Sequence, residues 1–224
     1  MRYESQLGFG KYTVASLSYI TRRFSHEGKM NTAQLKGMLE NLHLNWANWD
    51  KDDSPIGQFL AKIKLDDDID EETIRFCAMM LSKSANADKA QMFWEVIDPA
   101  AEGKAGKGAF EDLFQKLIEI VGDKTYVLSK ASQKKGEYDQ VADYVKNLNE
   151  TATIAKGKII GAFFSDDEIS KETFMEKFKA SDEQFGSLFT PKGLRAFMKK
   201  VYDETPAAEK GSVAAVNDMF ANFV

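Results

Sequence analysis

The chain has 224 residues, a formal net charge of −5 and a pI of about 5.3. A free-standing nucleic-acid-binding protein is usually basic, so this charge argues against nucleic acid as the partner. No apolar run approaches the roughly 20 residues of a membrane-spanning helix, and the first residues lack a secretory signal pattern. Cys77 is the only cysteine, which excludes an intramolecular disulfide and favours a reducing, cytoplasmic location.

Apolar residues recur three and four positions apart along most of the chain, which is typical of amphipathic helices. Val14, Leu17 and Ile20, for example, fall on one face of a helix that ends at Phe24. No stretch gives a strand signal of useful length. The pattern predicts an all-α fold with helices over 12–24, 31–42, 58–64, 70–82, 89–97, 110–121, 124–132, 137–149, 155–164, 170–178, 190–202 and 212–224.

Eight apolar side chains lie on the apolar stripes of these predicted helices, and hydrophobic residues make up 43% of the chain. We expect all eight to be buried, because a stripe of this kind faces a core. They are Phe24, Leu35, Phe76, Phe93, Phe114, Phe164, Phe174 and Phe197.

One local pattern occurs three times: a helix, a short polar turn, one apolar residue, an N-cap residue and a second helix. The apolar residue and the cap are Met30-Asn31, Ile69-Asp70 and Ile169-Ser170. Asn, Asp and Ser are favoured caps because their side chains accept a hydrogen bond from a free N–H of the first turn. An internal repeat is stronger evidence for an architecture than any single residue.

The repeated pattern resembles the EF-hand, or calmodulin-like, superfamily. That family's calcium loop has about twelve residues, with oxygen ligands at the first, third, fifth, seventh, ninth and twelfth places. With Met30, Ile69 and Ile169 at the apolar eighth place, the twelfth places are Gln34, Thr73 and Thr173. None of these supplies two carboxylate oxygens. The resemblance therefore implies paired helix–loop–helix units whose loops are degenerate and largely do not bind calcium.

The resemblance also implies two lobes of such units. The polar run SQKKGEYD is the best boundary in the chain. We expect an N-terminal lobe over 1–122, a connector over 123–136 and a C-terminal lobe over 137–224. The hands of the first lobe fall near 11–42, 57–82 and 89–121.

The loop over 98–112 is the one place where a metal site remains arguable. Asp98 follows a helix as a first ligand would, and Asp112 precedes Leu113-Phe114 as a twelfth ligand would. With Glu102 they form the candidate metal set, although the loop is longer than that of the family. Lys104 and Lys107 add positive charge beside it. The alternative is a long loop between two packed helices. We expect no cofactor, and weak calcium binding at most.

EF-hand proteins that lose their ligands keep the framework as a protein-binding scaffold, which implies capture of an amphipathic helix or of an assembly subunit. Methionine adapts to irregular surfaces and so suits such a cleft. The candidate partner-binding residues are Trp46, Trp49, Met79, Met80, Met92, Met175, Met198 and Met219. For each methionine, the alternative is an ordinary place in the core. For the tryptophans, it is packing over the first hand.

Nothing in the sequence predicts catalysis, because His26 and His43 are the only histidines and neither lies beside a nucleophile in sequence. We therefore expect a non-catalytic protein-binding or structural module. It would be calcium-independent and act as an adaptor or as a subunit of a larger assembly, such as a cytoskeletal one. The alternative is a calcium-responsive regulator that uses the 98–112 loop. Neither nucleic acid nor membrane insertion is expected.

Overall fold

The computed structural model describes residues 3–131, 137–178 and 185–210. The described chain is mostly helical, as predicted for the class. Its α-helices are α1 (Val14–Phe24), α2 (Thr32–Asn41), α3 (Pro55–Ile63), α4 (Glu71–Leu81), α5 (Asn86–Ile97), α6 (Lys107–Glu119), α7 (Glu137–Asn149), α8 (Ala152–Phe163), α9 (Lys171–Glu176) and α10 (Pro191–Glu204). Shorter 3-10 turns cover Tyr3–Leu7, Phe9–Lys11, Trp46–Asn48 and Tyr126–Ala131, and a π-helical turn covers Ile120–Lys124.

Five strands of two or three residues join the turns between helices, too short for the sequence to have signalled them. They are β1 (Lys29–Met30), β2 (Lys64–Leu65), β3 (Asp68–Asp70), β4 (Lys104–Gly106) and β5 (Glu168–Ser170). One antiparallel sheet has the order β1-β3-β2, and the other joins β4 to β5. Met30 lies opposite Ile69 in the first sheet, and Ala105 lies opposite Ile169 in the second.

The three predicted helix starts are confirmed. Asn31 caps α2 in a full capping box with Gln34, Asp70 caps α4, and Ser170 caps α9. The structure adds a fourth start that the sequence analysis placed three residues too late. Gly106 precedes α6, so this helix begins at Lys107 rather than at Phe110. In all four, the N-cap residue directly follows the apolar residue of a strand, and the helix begins one residue later.

Two other helices begin with the same four-residue pattern of Ser or Thr, Pro, any residue and Gly. In α3 the Ser54 hydroxyl accepts the Gly57 N–H at 2.9 Å, and in α10 the Thr190 hydroxyl accepts the Gly193 N–H at 3.0 Å. Each glycine lies against a backbone carbonyl, since an added Cβ would stand 2.0 Å from the oxygen of Lys51 or Ser187. Only glycine fits this close approach.

The core is rich in phenylalanine rings that contact one another. Phe93 lies 5.6 Å from Phe110 and 4.9 Å from Phe189 between ring centroids, and Phe174 lies 5.2 Å from Trp94. Of the eight side chains predicted to be buried, six are: Leu35, Phe76, Phe93, Phe114, Phe164 and Phe174. Phe24 and Phe197 are only half-buried and pack against the edge of the core.

Part of the predicted connector is packed into the core. Val127 and Leu128 are buried, and they belong to a cluster of buried apolar residues that extends from Leu7 to Val201. The β4–β5 pair also joins a strand that precedes the connector to one that follows it. The division into two lobes stays a prediction. Residues 132–136 and the whole predicted helix over 212–224, with its Met219, lie outside the described residues.

Candidate functional site

The turn between α1 and α2 is closed by its own backbone. His26 and Lys29 exchange two N–H···O bonds of 2.8 and 3.0 Å. The two residues between them, Glu27 and Gly28, both have positive φ, as a tight two-residue hairpin requires. So short a turn leaves no room for the six to eight oxygen ligands, roughly, that calcium prefers.

Asp70, in the turn before α4, is the best placed of that turn's acids but is already engaged. Its carboxylate accepts the Glu72 N–H at 3.2 Å and the Thr73 hydroxyl at 2.5 Å. The ammonium group of Lys116, on α6, lies 3.5 Å from the same carboxylate and 2.5 Å from Glu72. Asp70 therefore caps a helix, and Asp70 and Glu72 together pair with one lysine.

Asp98, at the end of α5, plays a similar structural role in the third turn. Its carboxylate accepts the N–H groups of Glu102 and Gly103, each at 2.8 Å, and the Trp94 indole N–H at 3.3 Å. Burial acts to raise the pKa of Asp98, but these three donors and the charge of Lys171 outweigh it and hold the pKa below its ordinary value. The Asp98 carboxylate thus accepts hydrogen bonds from two backbone N–H groups of its own loop and from one indole N–H of α5.

The structure does not bring the predicted metal set together. Asp98 is buried, whereas Glu102 is exposed in the loop and Asp112 is exposed on α6. Across the parts of the chain that the structure describes, no three His, Cys, Asp or Glu side chains are arranged to hold a metal ion. The spacing that suggested Asp112 placed the helix start too late, because β4 ends at Gly106 and α6 begins directly after it.

The fourth turn, which precedes α9, is joined to the third turn, which precedes α6, by an ion pair of side chains and by backbone hydrogen bonds. Lys104 and Glu168 form an ion pair of 3.1 Å across the two strands. The Lys107 N–H donates to the Asp167 carbonyl, and the Lys171 N–H donates to the Gly103 carbonyl, each at 2.9 Å. The two turns therefore form one hydrogen-bonded unit.

Most of the predicted partner-binding side chains are not at the surface. Trp49, Met79, Met80, Met92 and Met198 are buried, whereas Trp46 and Met175 are half-buried. Trp49 packs between the rings of Phe9 and Phe59, so the alternative of a packing role describes it better. The buried methionines can meet a partner only if the helices around them move.

One of these methionines, Met92, lines a groove between α1 and α5. The groove encloses about 390 Å³. The α1 wall consists of small side chains, and the α5 wall carries two exposed acids above the buried Met92. The groove is lined by Thr13, Val14, Ala15, Ser18, Ser84, Asp88, Gln91, Met92 and Glu95.

The acids and the tyrosine that give this surface its character were not among the predicted partner-binding residues. Asp88 and Glu95 lie seven residues apart on α5, so they lie on one face of the helix. Tyr19 follows Ala15 by one turn of α1 and is 67% exposed, one of two large apolar side chains exposed in the described structure. In the sequence, Tyr19 lies off the apolar stripe of Val14 and Leu17, and this position was the signal that could have predicted its exposure.

The reactive groups of the described chain do not form a catalytic arrangement that we can identify. Burial raises the pKa of the Cys77 thiol, which disfavours the reactive thiolate. His26 and His43 are exposed and lie in separate turns. The absence of enzymatic activity stays a prediction.

Comparisons with protein-family models, with curated proteins and with solved structures find no match. Within the described residues, none of the helices combines the length and the apolar character that crossing a membrane requires.

Proposed function

We propose that this chain is a non-catalytic, calcium-independent protein-binding module built on the EF-hand plan. It would serve as an adaptor or as a subunit of a larger assembly, such as a cytoskeletal one. The observation that carries the proposal is that its loops are closed by the chain's own hydrogen bonds and ion pairs. A loop closed in this way keeps its conformation without a metal ion.

The pairing of the turns supports the EF-hand plan. Four turns each end in an apolar residue followed by a helix, and their strands pair first with second and third with fourth. The apolar residues meet across each pair, as Met30 does with Ile69. Gly103 has a φ of 79° five residues after Asp98, where the family's loop has its glycine.

The donor set does not fit calcium. Counted from Asp98, with Ala105 at the eighth place, the third loop ends at Ala109 rather than at Asp112. Ala100 stands at the third place and Ala109 at the twelfth, so neither position offers a side-chain oxygen. This composition favours the calcium-independent module over the calcium-responsive regulator.

The groove between α1 and α5 is the surface that we assign to the partner. The small side chains on the α1 side of the groove leave room for the apolar face of a helix. Asp88 and Glu95 place negative charge beside that face. The complementary partner is an amphipathic helix with Lys or Arg residues along one flank, spaced about seven residues apart. Tyr19, exposed one turn after Ala15 on α1, is of a type enriched in interface hot spots.

Isothermal titration of the purified full chain with calcium tests the metal part of the proposal. We expect no heat of specific binding at micromolar calcium and no change in the near-ultraviolet circular dichroism spectrum. A micromolar site that is lost in Asp98→Ala would contradict the proposal and support the regulator. A magnesium titration under the same conditions controls for non-specific cation binding.

Affinity capture from the native cell tests the partner part, carried out once with calcium and once with a chelator. Ala15→Arg places a bulky positive charge in the groove, and Ala196→Arg makes the same change on the exposed face of α10. We expect one partner to be retained equally with and without calcium, lost with Ala15→Arg and kept with Ala196→Arg. Retention by both variants would rule out this groove.

A further inference from the structure

The segment that precedes α1 is bound to the rest of the molecule like a short peptide in a groove. We call Tyr3–Lys11 the strap. It consists of two 3-10 turns, with Gly8 between them at a φ of 79°. Local hydrogen bonds fix its conformation, since the Gly8 N–H donates to the Ser5 carbonyl and the Tyr12 N–H donates to the Phe9 carbonyl. Its bound form is therefore set largely by its own sequence.

The strap inserts two apolar anchors, Leu7 and Phe9, which are both fully buried. The Phe9 ring lies 6.1 Å from the ring of Trp49, which in turn meets Phe59 edge to face. Gly8, between the anchors, lies directly against Leu44, and a Cβ there would stand 2.4 Å from its side chain. The groove thus accepts two apolar side chains with no side chain between them.

The strap also has a charged anchor. Glu4, three residues before Leu7, places Oε1 2.5 Å from Nη1 of Arg195 on α10. Both side chains are more than nine-tenths buried. Gln6 adds a bond of 3.1 Å from its side-chain amide to the Leu128 carbonyl. Arg195 is thus a buried, prepositioned cation at one end of an apolar groove.

We propose that the strap is an internal ligand and that its groove is a binding site for a protein segment of the same chemistry. That segment carries a carboxylate three residues before an aliphatic side chain, then glycine, then an aromatic side chain. A partner protein with this pattern would displace the strap and take its place. This inference does not depend on the calcium chemistry of the loops.

The tether determines how such an exchange is measured. A strap joined to α1 competes with a free segment at an effective concentration of about the millimolar range. A free peptide of micromolar intrinsic affinity would therefore bind the intact chain about a thousandfold more weakly. The strap must be weakened before binding in trans becomes visible.

The test uses the full chain with Leu7→Ser and Phe9→Ser, titrated with a fluorescent peptide of residues 3–12 and followed by fluorescence anisotropy. We expect micromolar binding to this variant, and binding to the unaltered chain at least about 100-fold weaker. A Glu4→Gln peptide should bind about tenfold or more weakly, because it cannot pair with Arg195 as an anion. A Lys11→Ala peptide, altered at an exposed position, is the matched control and should bind normally.

A variant that keeps its cooperative thermal transition but does not bind the peptide would overturn the proposal, and so would equal binding of the Glu4→Gln peptide. If the variant does not fold, hydrogen exchange in the unaltered chain decides. We then expect the Gly8 and Tyr12 amides to exchange through local opening, well before the Cys77 amide in α4. Equal protection of all three would mean that the strap leaves only on global unfolding, which contradicts exchange.

Discussion

Glu4 and Arg195 lie 191 residues apart in the chain and meet as an ion pair with 4% and 3% of their respective side-chain surfaces exposed. Arg195 also donates to the Val121 carbonyl at 2.9 Å and to the Thr125 hydroxyl at 2.8 Å. Thr125 in turn donates to the Ile120 carbonyl. One guanidinium thus joins the strap, the π-helical turn and α10, and it supplies a donor to a carbonyl of that turn.

Removal of this cation should strongly destabilise the fold. Arg195→Met leaves Glu4 as a buried, uncompensated charge and should lower the free energy of unfolding by about 3–5 kcal/mol. Lys199→Met, one turn later on α10, removes an exposed ion pair with Asp203 and should cost at most about 1 kcal/mol. Urea unfolding of the two variants measures the difference, and equal losses would contradict a buried network.

The two glycines that follow the helix caps should not tolerate a side chain. Gly57→Ala and Gly193→Ala each drive a Cβ into a backbone carbonyl, which cannot move aside as a flexible side chain would. Each should cost about 1–3 kcal/mol, as overpacking of a tight site does. Gly157→Ala, on the open face of α8, should instead stabilise the fold by about 0.5–1 kcal/mol. Thermal melts that fail to separate the two classes would contradict this.

Local signals in the sequence predicted the helices and three of their caps, because Asn31, Asp70 and Ser170 each bond within their own first turn. The fourth start was missed because Ala105 and Gly106 carry neither a large apolar side chain nor a capping oxygen. The next acid after Asp98 that precedes an apolar pair is Asp112, and this spacing suggested the wrong end of the loop.

Contacts between distant segments could not be predicted from local patterns in the sequence. Nothing near Arg195 in the chain distinguishes it from the exposed lysines of the same helix, and its partners lie in segments around residues 4 and 121–125. The same holds for the groove. Asp88 and Glu95 matter there because α1 packs beside α5, and no pattern within α5 reveals this neighbour.

Lys89 should make the stability of the fold depend on alkaline pH. Its ammonium group is buried at the start of α5 and donates to the Met80 carbonyl at 3.0 Å, and this burial lowers the pKa to about 8. Between pH 8 and 10.5 the unfolded chain therefore binds more protons than the folded one, so stability rises with pH across this window.

Lys89→Met removes this contribution. Relative to the variant, the unaltered chain should gain about 1–3 kcal/mol between pH 7.5 and pH 10. Lys83→Met, at an exposed lysine just after α4, serves as the control and should show no such gain. Urea unfolding at the two pH values is the measurement. Parallel pH profiles for the unaltered chain and Lys89→Met would show that Lys89 titrates normally in the folded state.

Asp98 should stabilise its loop through N–H groups rather than through calcium. The folded-state pKa lies below the ordinary value, so the stabilisation is present above about pH 4 and is lost as the pH falls through the folded-state pKa. Asp98→Asn should therefore lower the melting temperature at pH 7, and the difference from the unaltered chain should shrink at lower pH. Asp112→Asn, at an exposed position on α6, is the matched control and should have no effect.

Because the donors to Asp98 belong to the chain, the loss of stability in Asp98→Asn should be the same in calcium and in chelator. Calcium that raised the melting temperature of the unaltered chain, but not that of Asp98→Asn, would instead assign Asp98 to a metal site.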